Sequence, residues 1–366
     1  MIKLTALLLP LLCSTTVAET TLFFNVNGYT LDRDFQLLRF SAIQFTDDRI
    51  DAIYGESDPL PQELNSRIDG KGQTMIPGLI DAHGHVLSYG LSLLRVDLVG
   101  AASESEASER VLDFAQANPA VEWIQGRGWN QVLWDTNEFP QKSSLDAVVN
   151  DRPVWLTRVD GHAAWANSLA MELAGISDDT EDPVGGQILR DEDGRATGVF
   201  VDTAMSYIRE QIPGTSFEEE KVALTTALNS LATYGITSVH DAGIGSSTSA
   251  AYKELVSEAP LPVRVYAMIA ASDPLYQDRL AEGFFHSEDM TFAVESVKVV
   301  ADGALGSRGA ALIEDYHDSP GYRGLLRYND ERLEYLIRAA MNADFQVATH
   351  AIGDDANMRV LDNYER

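Results

Sequence analysis

The sequence predicts an α/β fold in which helices cover a parallel β-sheet, and three observations lead to this prediction. From about residue 216, helix patterns alternate regularly with short apolar strand patterns, as they do in parallel sheets. An apolar strand pattern at 76–81 runs into two histidines. The 366 residues, 45% of them hydrophobic, fit one (β/α)8 domain with an accessory piece, or two to three ordinary domains.

The first eighteen residues predict a secretory signal peptide. Lys3 precedes an apolar run at 4–12, and small residues follow up to Ala18, where we expect cleavage. The apolar run is too short to span a bilayer. We therefore expect a secreted or periplasmic protein. A lipid anchor on Cys13 is an alternative that Leu12 disfavours, and loss of this single cysteine leaves no thiol in the mature chain.

The charge of the chain limits its partners. A formal net charge of −29 opposes binding to nucleic acid or to an anionic membrane surface, because phosphate binding needs the opposite sign. No later segment reaches transmembrane length. A small-molecule substrate is the remaining expectation, and a homo-oligomer is an open alternative.

The mature chain divides into a leading β segment and a longer domain. Residues 19–74 contain strand patterns at 21–26, 36–40 and 49–54, which predict the N-terminal part of a β-sandwich. Residues 75–366 form the predicted barrel domain. Within it, 100–215 lacks regular alternation and is interpreted as an insertion, with a helix at 104–118, a strand at 154–159 and a hairpin of 185–189 with 197–201.

The alternating part predicts five parallel strands when the strand at 76–81 is included. The other four strands lie at 236–240, 263–270, 294–302 and 345–352, and helices are predicted at 218–234, 248–257 and 330–343. Catalytic groups of parallel barrels lie at the C-terminal ends of the strands. These ends are therefore where we search for a site.

The first strand ends in His83 and His85. Residues two apart on a strand point to the same face, so the two imidazoles would aim at one point and could hold a metal ion. Paired histidines at an exposed strand end, without any ligand, are the alternative.

Lys298 and His350 occupy two other strand ends. Lys298 lies in an apolar strand, where burial would lower its pKa. A neutral amine could react with carbon dioxide to give a carbamate that bridges two metal ions; alternatively, the lysine could extend out of the barrel mouth into water. His350 could be a ligand or a hydrogen-bonded core residue.

Two further histidines have weaker claims to a site. His240 ends the strand at 236–240 and could either contact substrate or metal or merely hydrogen-bond to a metal ligand. His162, in the insertion, could reach over the barrel mouth or pack beside Trp165. Trp129 and Trp165 would favour an apolar or aromatic substrate over a highly charged one, although such residues more often pack cores.

Five motifs resemble the amidohydrolase superfamily, in particular its branch of metal-dependent hydrolases that includes N-substituted formamide deformylase. They occur in the family's order and extend over the mature chain: IPGLIDAHGH (76–85), DGHAAWANS (160–168), GITSVHDAG (235–243), VKVVADGALGSR (297–308) and THAIGD (349–354). The His-x-His pair alone would be a weak signal, but five motifs in order are a strong one.

The resemblance implies a (β/α)8 barrel with a β-sandwich built from both termini. It also implies one or two divalent metal ions, of which zinc is the expected one, although iron, manganese and nickel suit the same ligands. The implied ligands are His83, His85, carboxylated Lys298 and His350, and the implied pocket is lined by residues Trp129, His162, His240, Asp302 and Arg308. In such enzymes a metal-activated hydroxide attacks a carbonyl, and a strand-end aspartate transfers the proton.

The chain departs from the family pattern after His350. The family continues through three more strands with another metal-binding histidine and the catalytic aspartate, whereas this sequence stops at Arg366. We therefore expect an incomplete barrel, from a fragment of a longer protein or a prematurely ended reading frame, with no certain catalytic residue present. The predicted function is metal-dependent hydrolysis of non-peptide C–N bonds, incomplete or inactive as this chain. A non-catalytic binding or regulatory protein is the alternative, and a structural envelope protein would leave Lys298 unexplained.

Overall fold

The structure is a computed structural model that describes residues 19–366. The predicted signal peptide therefore lies outside the described residues. The chain divides into two compact units, Met1–Leu79 and Ile80–Arg366. Within the described part, no helix combines the length and the apolar character that crossing a membrane requires.

The first unit contains a five-stranded sheet. Its strands are β1 Thr20–Leu31, β2 Leu37–Thr46, β3 Arg49–Tyr54, β4 Ser66–Asp69 and β5 Thr74–Met75. The order is β3-β2-β1-β4, with β5 also paired to β1. The three strands predicted here are present, and β1 and β2 are longer than predicted. Val26, Phe40 and Ile43 form the small core of this sheet.

The second unit contains two further sheets with their helices. Its strands are β6 Leu79–Gly84, β7 Val96–Asp97, β8 Ile124–Trp129, β9 Val154–Arg158, β10 Ala163–Ala166, β11 Gly186–Arg190, β12 Ala196–Asp202, β13 Ile236–Ile244, β14 Arg264–Ala270, β15 Phe285–His286, β16 Phe292–Val300 and β17 Gln346–His350. Its helices are α1 Val86–Leu93, α2 Glu104–Ala117, α3 Lys142–Asp146, α4 Ser168–Leu173, α5 Ser206–Arg209, α6 Phe217–Thr233, α7 Ser246–Glu258, α8 Tyr276–Glu282, α9 Asp330–Asn342 and α10 Asp354–Glu365; short 3-10 turns lie at Gln131–Leu133 and Thr203–Met205.

The central sheet consists of β6, β13, β14, β15, β16 and β17. The order along it is β15-β16-β14-β13-β6, and β17 pairs with the other edge of β16. Strands β13, β14, β16 and β17 are parallel to one another, as the alternating pattern predicts. Neighbouring long strands therefore follow chain order, which is the order found in the wall of a (β/α)8 barrel.

One face of the central sheet is buried under helices. Alternate residues of β14 and β16, such as Val265 and Ile269 on β14 and Val297 on β16, join the main apolar core with side chains from the helices. Helix α1 packs so closely on α6 that a Cβ at Gly90 would overlap the backbone carbonyl of Ala223. The intervening strand positions face away from the helices, and the candidate site residues belong to this second set.

The predicted insertion forms a sheet of its own, called here the inserted sheet, from β7 to β12. Its order is β11-β12-β10-β9-β8-β7, with β7, β8 and β9 parallel and the rest antiparallel. The predicted helix at 104–118 is α2, and the predicted hairpin is β11 with β12, in which Gln187 lies opposite Val201. Two apolar cores, one containing Trp129 and the other Phe200, pack against this sheet.

Candidate metal centre

The candidate site begins where β6 ends and α1 starts. His83 lies on β6, and His85 is the N-cap residue of α1. Their ring centroids are 5.5 Å apart, with the ring planes at 74°. The strand ends at Gly84, so His85 lies outside the regular strand, yet the two imidazoles remain neighbours.

Two carboxylates fix the backbone around these histidines. Asp81 Oδ1 accepts a hydrogen bond from the His83 backbone N–H at 3.0 Å. Asp241 Oδ1 accepts one from the Val86 backbone N–H at 3.2 Å, next to His85, and Asp241 Oδ2 accepts one from the Tyr252 hydroxyl at 2.9 Å. Burial raises the pKa of Asp241 above its usual range. Asp241 therefore positions the start of α1, and thereby His85.

Sequence reasoning missed this role of Asp241, although a signal for it exists. Strand periodicity places Asp241 on the same face as Val239, which belongs to the apolar core beneath the helices. A carboxylate on a helix-covered face must have buried partners. The partners themselves, a helix start at residue 86 and a tyrosine on α7, could not be read from the pattern.

Lys298 extends from the face of β16 that is turned away from the helices. Its register neighbours are Ala270 on β14 and Ala348 on β17, and both have short side chains. A Cβ added at Gly243, where φ is +106°, would lie 3.4 Å from Lys298 Cγ, so this glycine leaves room for the lysine stem. Across residues 19–366, the ammonium group makes no hydrogen bond or ion pair, and burial lowers its pKa.

His350 ends β17, opposite Val300 on β16. Its Nε2 lies 3.7 Å from Oδ1 of Asp302, a side chain with no exposed surface. The Asp302 carboxylate accepts backbone N–H bonds from Ala311, Ile352 and Gly353 at 2.9, 3.0 and 2.8 Å. Asp302 thus joins the loop after β16 to the turn after β17. It is a positioning residue beside His350, and its predicted place in the substrate pocket stays a prediction.

The electrostatics of His83 show which groups lie together. The positive charge of Lys298 is the largest cause that lowers the pKa of His83, followed by burial and by His85 and His350, whereas Asp81 opposes the shift. The structure therefore brings together four predicted residues from β6, β16, β17 and the start of α1. A divalent cation would require these groups to be uncharged before they could bind it.

His240 lies on the same sheet but contacts a different partner. Its ring centroid is 5.1 Å from that of Tyr266, its register neighbour on β14. Tyr266 in turn donates its hydroxyl to Gln346 Oε1 at 3.2 Å. His240 is therefore placed by aromatic packing across the strand pair.

The other predicted pocket residues lie elsewhere. Trp129 has no exposed surface, because it packs with Trp134 and Trp165 in a core of the inserted sheet and donates its Nε1–H to the Leu156 carbonyl at 2.7 Å. Trp165 is equally buried. Both tryptophans are core residues in the described chain and give no information on substrate, and the pocket role of Trp129 stays a prediction.

His162 and Arg308 are exposed and each pairs with a carboxylate. His162 Nδ1 lies 2.7 Å from Asp202 Oδ1, and this hydrogen bond raises the pKa of His162. Arg308 donates from Nε and Nη2 to Asp318 at 3.2 and 3.0 Å. Neither side chain is joined to the four grouped residues by a hydrogen bond or ion pair within the described chain.

The donor set fits a divalent metal only with the lysine included. Between residues 19 and 366, no three His, Cys, Asp or Glu side chains are grouped closely enough to hold an ion. The charge of Lys298 acts on His83, and an ammonium at this point would repel a cation. A carbamate on Lys298 would supply two oxygens and a negative charge at this point, so that imidazole and carboxylate-type donors could share an ion.

Fold and strand-end chemistry together define an α/β protein with a candidate metal centre. The chain belongs to the amidohydrolase family, whose model matches residues 67–366. It is 37% identical over 307 residues to the protein LONG AFTER FAR-RED 3 of Arabidopsis thaliana, covering 81% of this chain and 52% of that protein. It is 33% identical over 339 residues to the putative amidohydrolase YtcJ of Bacillus subtilis, covering 87% of this chain and 63% of the relative. The chain thus spans about half to two thirds of the length of these relatives.

A more distant relative and a solved structure extend the comparison. The N-substituted formamide deformylase of Arthrobacter pascens is 24% identical over 310 residues, which are 81% of this chain and 57% of that enzyme. An uncharacterized metal-dependent hydrolase from Pyrococcus furiosus superposes with a TM-score of 0.74 at 28% identity, covering 94% of this chain and 70% of the other. The recognised family is therefore confirmed.

Proposed function

We propose that this chain carries most of the metal centre of a hydrolase that cleaves non-peptide C–N bonds of small amide-type molecules. The observation that carries the proposal is the pairing of the His83 and His85 rings at 5.5 Å, together with Lys298 and His350 on neighbouring strands. Lys298 has no hydrogen bond or ion pair within residues 19–366, and its charge acts on His83. Membership of the amidohydrolase family supports hydrolysis, and similarity to the Arthrobacter deformylase supports a formamide-type bond. Similarity to the metal-dependent hydrolase from Pyrococcus furiosus supports the metal.

The proposed ligands are His83, His85, His350 and the carbamate of Lys298. A bound divalent ion, with zinc as our first expectation, would polarise a carbonyl and lower the pKa of a water molecule. Iron, manganese and nickel accept the same donors. We place the substrate at the face of the central sheet on which these side chains stand.

The chain's own residues prepare this centre. Burial lowers the pKa of Lys298, which increases its neutral fraction. The neutral amine attacks carbon dioxide, a C–N bond forms, and one proton leaves, so that a carbamate anion replaces an amine. Asp241 holds the start of α1 behind His85, and Asp302 fixes the two loops beside His350.

Chelation and reconstitution test the proposed reaction. The protein that contains this chain should lose hydrolysis of N-substituted formamides after dialysis against a chelator and regain it with Zn²⁺. His83→Ala should regain none, whereas His286→Ala should regain the wild-type rate, since His286 pairs with Glu295 at the opposite end of β16. Hydrolysis that survives chelation would reject the metal mechanism. Metal binding without hydrolysis of any C–N bond would favour the binding-protein alternative.

We further propose that the protein is exported, from the sequence pattern of its first eighteen residues. The mature protein should begin at Glu19 and be recovered outside the cytoplasm. Mass spectrometry of the purified N-terminus checks this, and an intact Met1 in the recovered protein would contradict it.

A further inference from the structure

A cleft of about 610 Å³ lies between α1, strands β8 and β9, and the segment that joins α5 to α6. None of the four proposed metal ligands lines it. Its volume is within the range of pockets that bind small organic molecules. The cleft therefore has the size of a ligand site, and its lining chemistry indicates what kind of ligand it would accept.

Three arginines line this cleft, namely Arg95, Arg127 and Arg209. No aspartate or glutamate is among the described residues that line it. The whole chain has 56 acidic residues against 27 lysines and arginines, so a local excess of positive charge is contrary to the average composition. Such a cleft concentrates anions, and guanidinium groups bind carboxylate and phosphate oxygens with two parallel hydrogen bonds.

The three guanidinium groups are largely free to bind a ligand. In the described chain, the Arg95 and Arg209 side chains make no hydrogen bond or ion pair, and Arg127 donates only from Nη2 to the Val159 carbonyl at 3.3 Å. Arg95 is half-buried, and burial lowers its pKa. Its neighbour Glu219 is occupied, because its carboxylate accepts from the backbone and side chain of Ser216. The charge of Glu219 acts on Arg95 without forming an ion pair, so a half-buried guanidinium still gains from an anion bound directly to it.

The inserted sheet builds the floor of the cleft. In the register of β8 and β9, Gln125 lies opposite Trp155 and Arg127 lies opposite Thr157, so all four side chains share one face. Trp155 is mostly buried against Phe200, so the apolar surface of the cleft comes mainly from Leu91, Ile212 and Pro213. A neighbouring cavity of about 600 Å³ shares Arg95, but Glu122 and Glu219 line it, which makes it less suited to an anion.

We propose that this cleft binds a small organic anion, with a carboxylate or phosphate group held by Arg95, Arg127 and Arg209 and an apolar body against Leu91, Ile212 and Pro213. The site lies beside Ser88 and Ser92 on α1, the helix that begins at His85. An occupied cleft would therefore contact the helix that carries one of the proposed metal ligands. The inference does not depend on the proposed hydrolysis.

Calorimetric titration of the full chain with two dianions, phenyl phosphate and phthalate, tests this site, and neutral phthalamide is the uncharged comparison. We expect at least one dianion to bind, more weakly as salt is raised, and phthalamide not to bind. Binding of phenyl phosphate alone identifies a phosphate-bearing ligand, and binding of phthalate alone a carboxylate-bearing one. No binding of either dianion at about 10 mM overturns the proposal.

Substitutions then locate the bound dianion. Arg209→Gln, at an exposed position, should weaken binding about tenfold or more, and Arg95→Gln likewise, since each removes charge-assisted hydrogen bonds. Arg33→Gln removes the same charge from an exposed site in the other unit and should leave the affinity unchanged. His83→Ala should also bind as wild type. Equal weakening by Arg33→Gln, or loss of binding in His83→Ala, would overturn the assignment of the anion to this cleft. If Arg95→Gln fails to fold, Arg209→Gln still tests the site.

Discussion

The central sheet and the inserted sheet both place histidines and carboxylates near their strand ends, but these groups are bonded differently. In the inserted sheet, His162 pairs with Asp202, and Arg158 is held by Gln131, Asn130 and Asp160. In the central sheet, the buried carboxylates bind the backbone, and Lys298 has no partner between residues 19 and 366. Residue type alone therefore does not identify a reactive site. A reactive site is identified by side chains that have no hydrogen-bond or ion-pair partner and can therefore bind a ligand.

The largest expected effect on stability concerns Trp129 of the inserted sheet, which was predicted to line a pocket and is buried in a core. Trp129→Ala should lower the free energy of unfolding by about 3–5 kcal/mol, because a large cavity opens in a packed core. Urea denaturation followed by circular dichroism measures this. Val132→Ala, at an exposed neighbouring position, should change stability by less than about 0.5 kcal/mol. Equal stability of both variants would restore Trp129 as a pocket residue.

The second prediction concerns the buried carboxylate of the central sheet. Asp302→Ala should cost about 3 kcal/mol, because three backbone N–H groups, two of them buried, lose their acceptor and each is worth about 1 kcal/mol. Asp318→Ala in the following loop removes only an exposed ion pair with Arg308 and should cost below about 1 kcal/mol. Denaturant unfolding compares the two variants. A similar loss in both would mean that Asp302 does not organise the loops beside His350.

Third, Tyr252→Phe should destabilise the chain by about 1–3 kcal/mol, because Asp241 Oδ2 would stay buried without its hydroxyl donor. The change should also disturb the start of α1 and thus the neighbourhood of His85. Tyr207→Phe, which removes a weaker hydroxyl contact to the Glu181 carbonyl at 3.4 Å, is the matched control and should have a smaller effect. Thermal unfolding and histidine NMR shifts measure both effects; an unchanged melting temperature in Tyr252→Phe would contradict the positioning role of Asp241.

The smallest expected effect is the titration of His162. Asp202 raises the pKa of His162 above its ordinary 6.5, so the pair's stabilisation is fully present below the unfolded value and is lost as pH rises through the folded pKa. NMR titration should give a midpoint above 6.5 that falls towards this value in Asp202→Asn. A midpoint that Asp202→Asn leaves unchanged would show that the pair does not form in solution.

Sequence periodicity predicted the parallel strands well, since each of β13, β14, β16 and β17 alternates apolar residues against a helical layer. It also selected Lys298, an ammonium in an apolar strand. The roles of Asp241 and Asp302 could not be predicted, because their partners are a helix start and two loops that lie distant in sequence. The core position of Trp129 could not be predicted either, because a tryptophan in the sequence fits a core and a pocket equally well and only packing distinguishes them.

The main difference between the two sheets is whether their side chains are free to bind a metal ion, and the metal content of the protein tests this difference directly. The full chain is reconstituted with Zn²⁺, and unbound zinc is then removed. Mass spectrometry should show that the chain retains bound zinc. His83→Ala and Lys298→Ala should lose most of it, whereas His162→Ala, which removes a histidine from the inserted sheet, should keep the wild-type amount. Wild-type zinc content in His83→Ala and Lys298→Ala would contradict a metal centre at the ends of the central sheet.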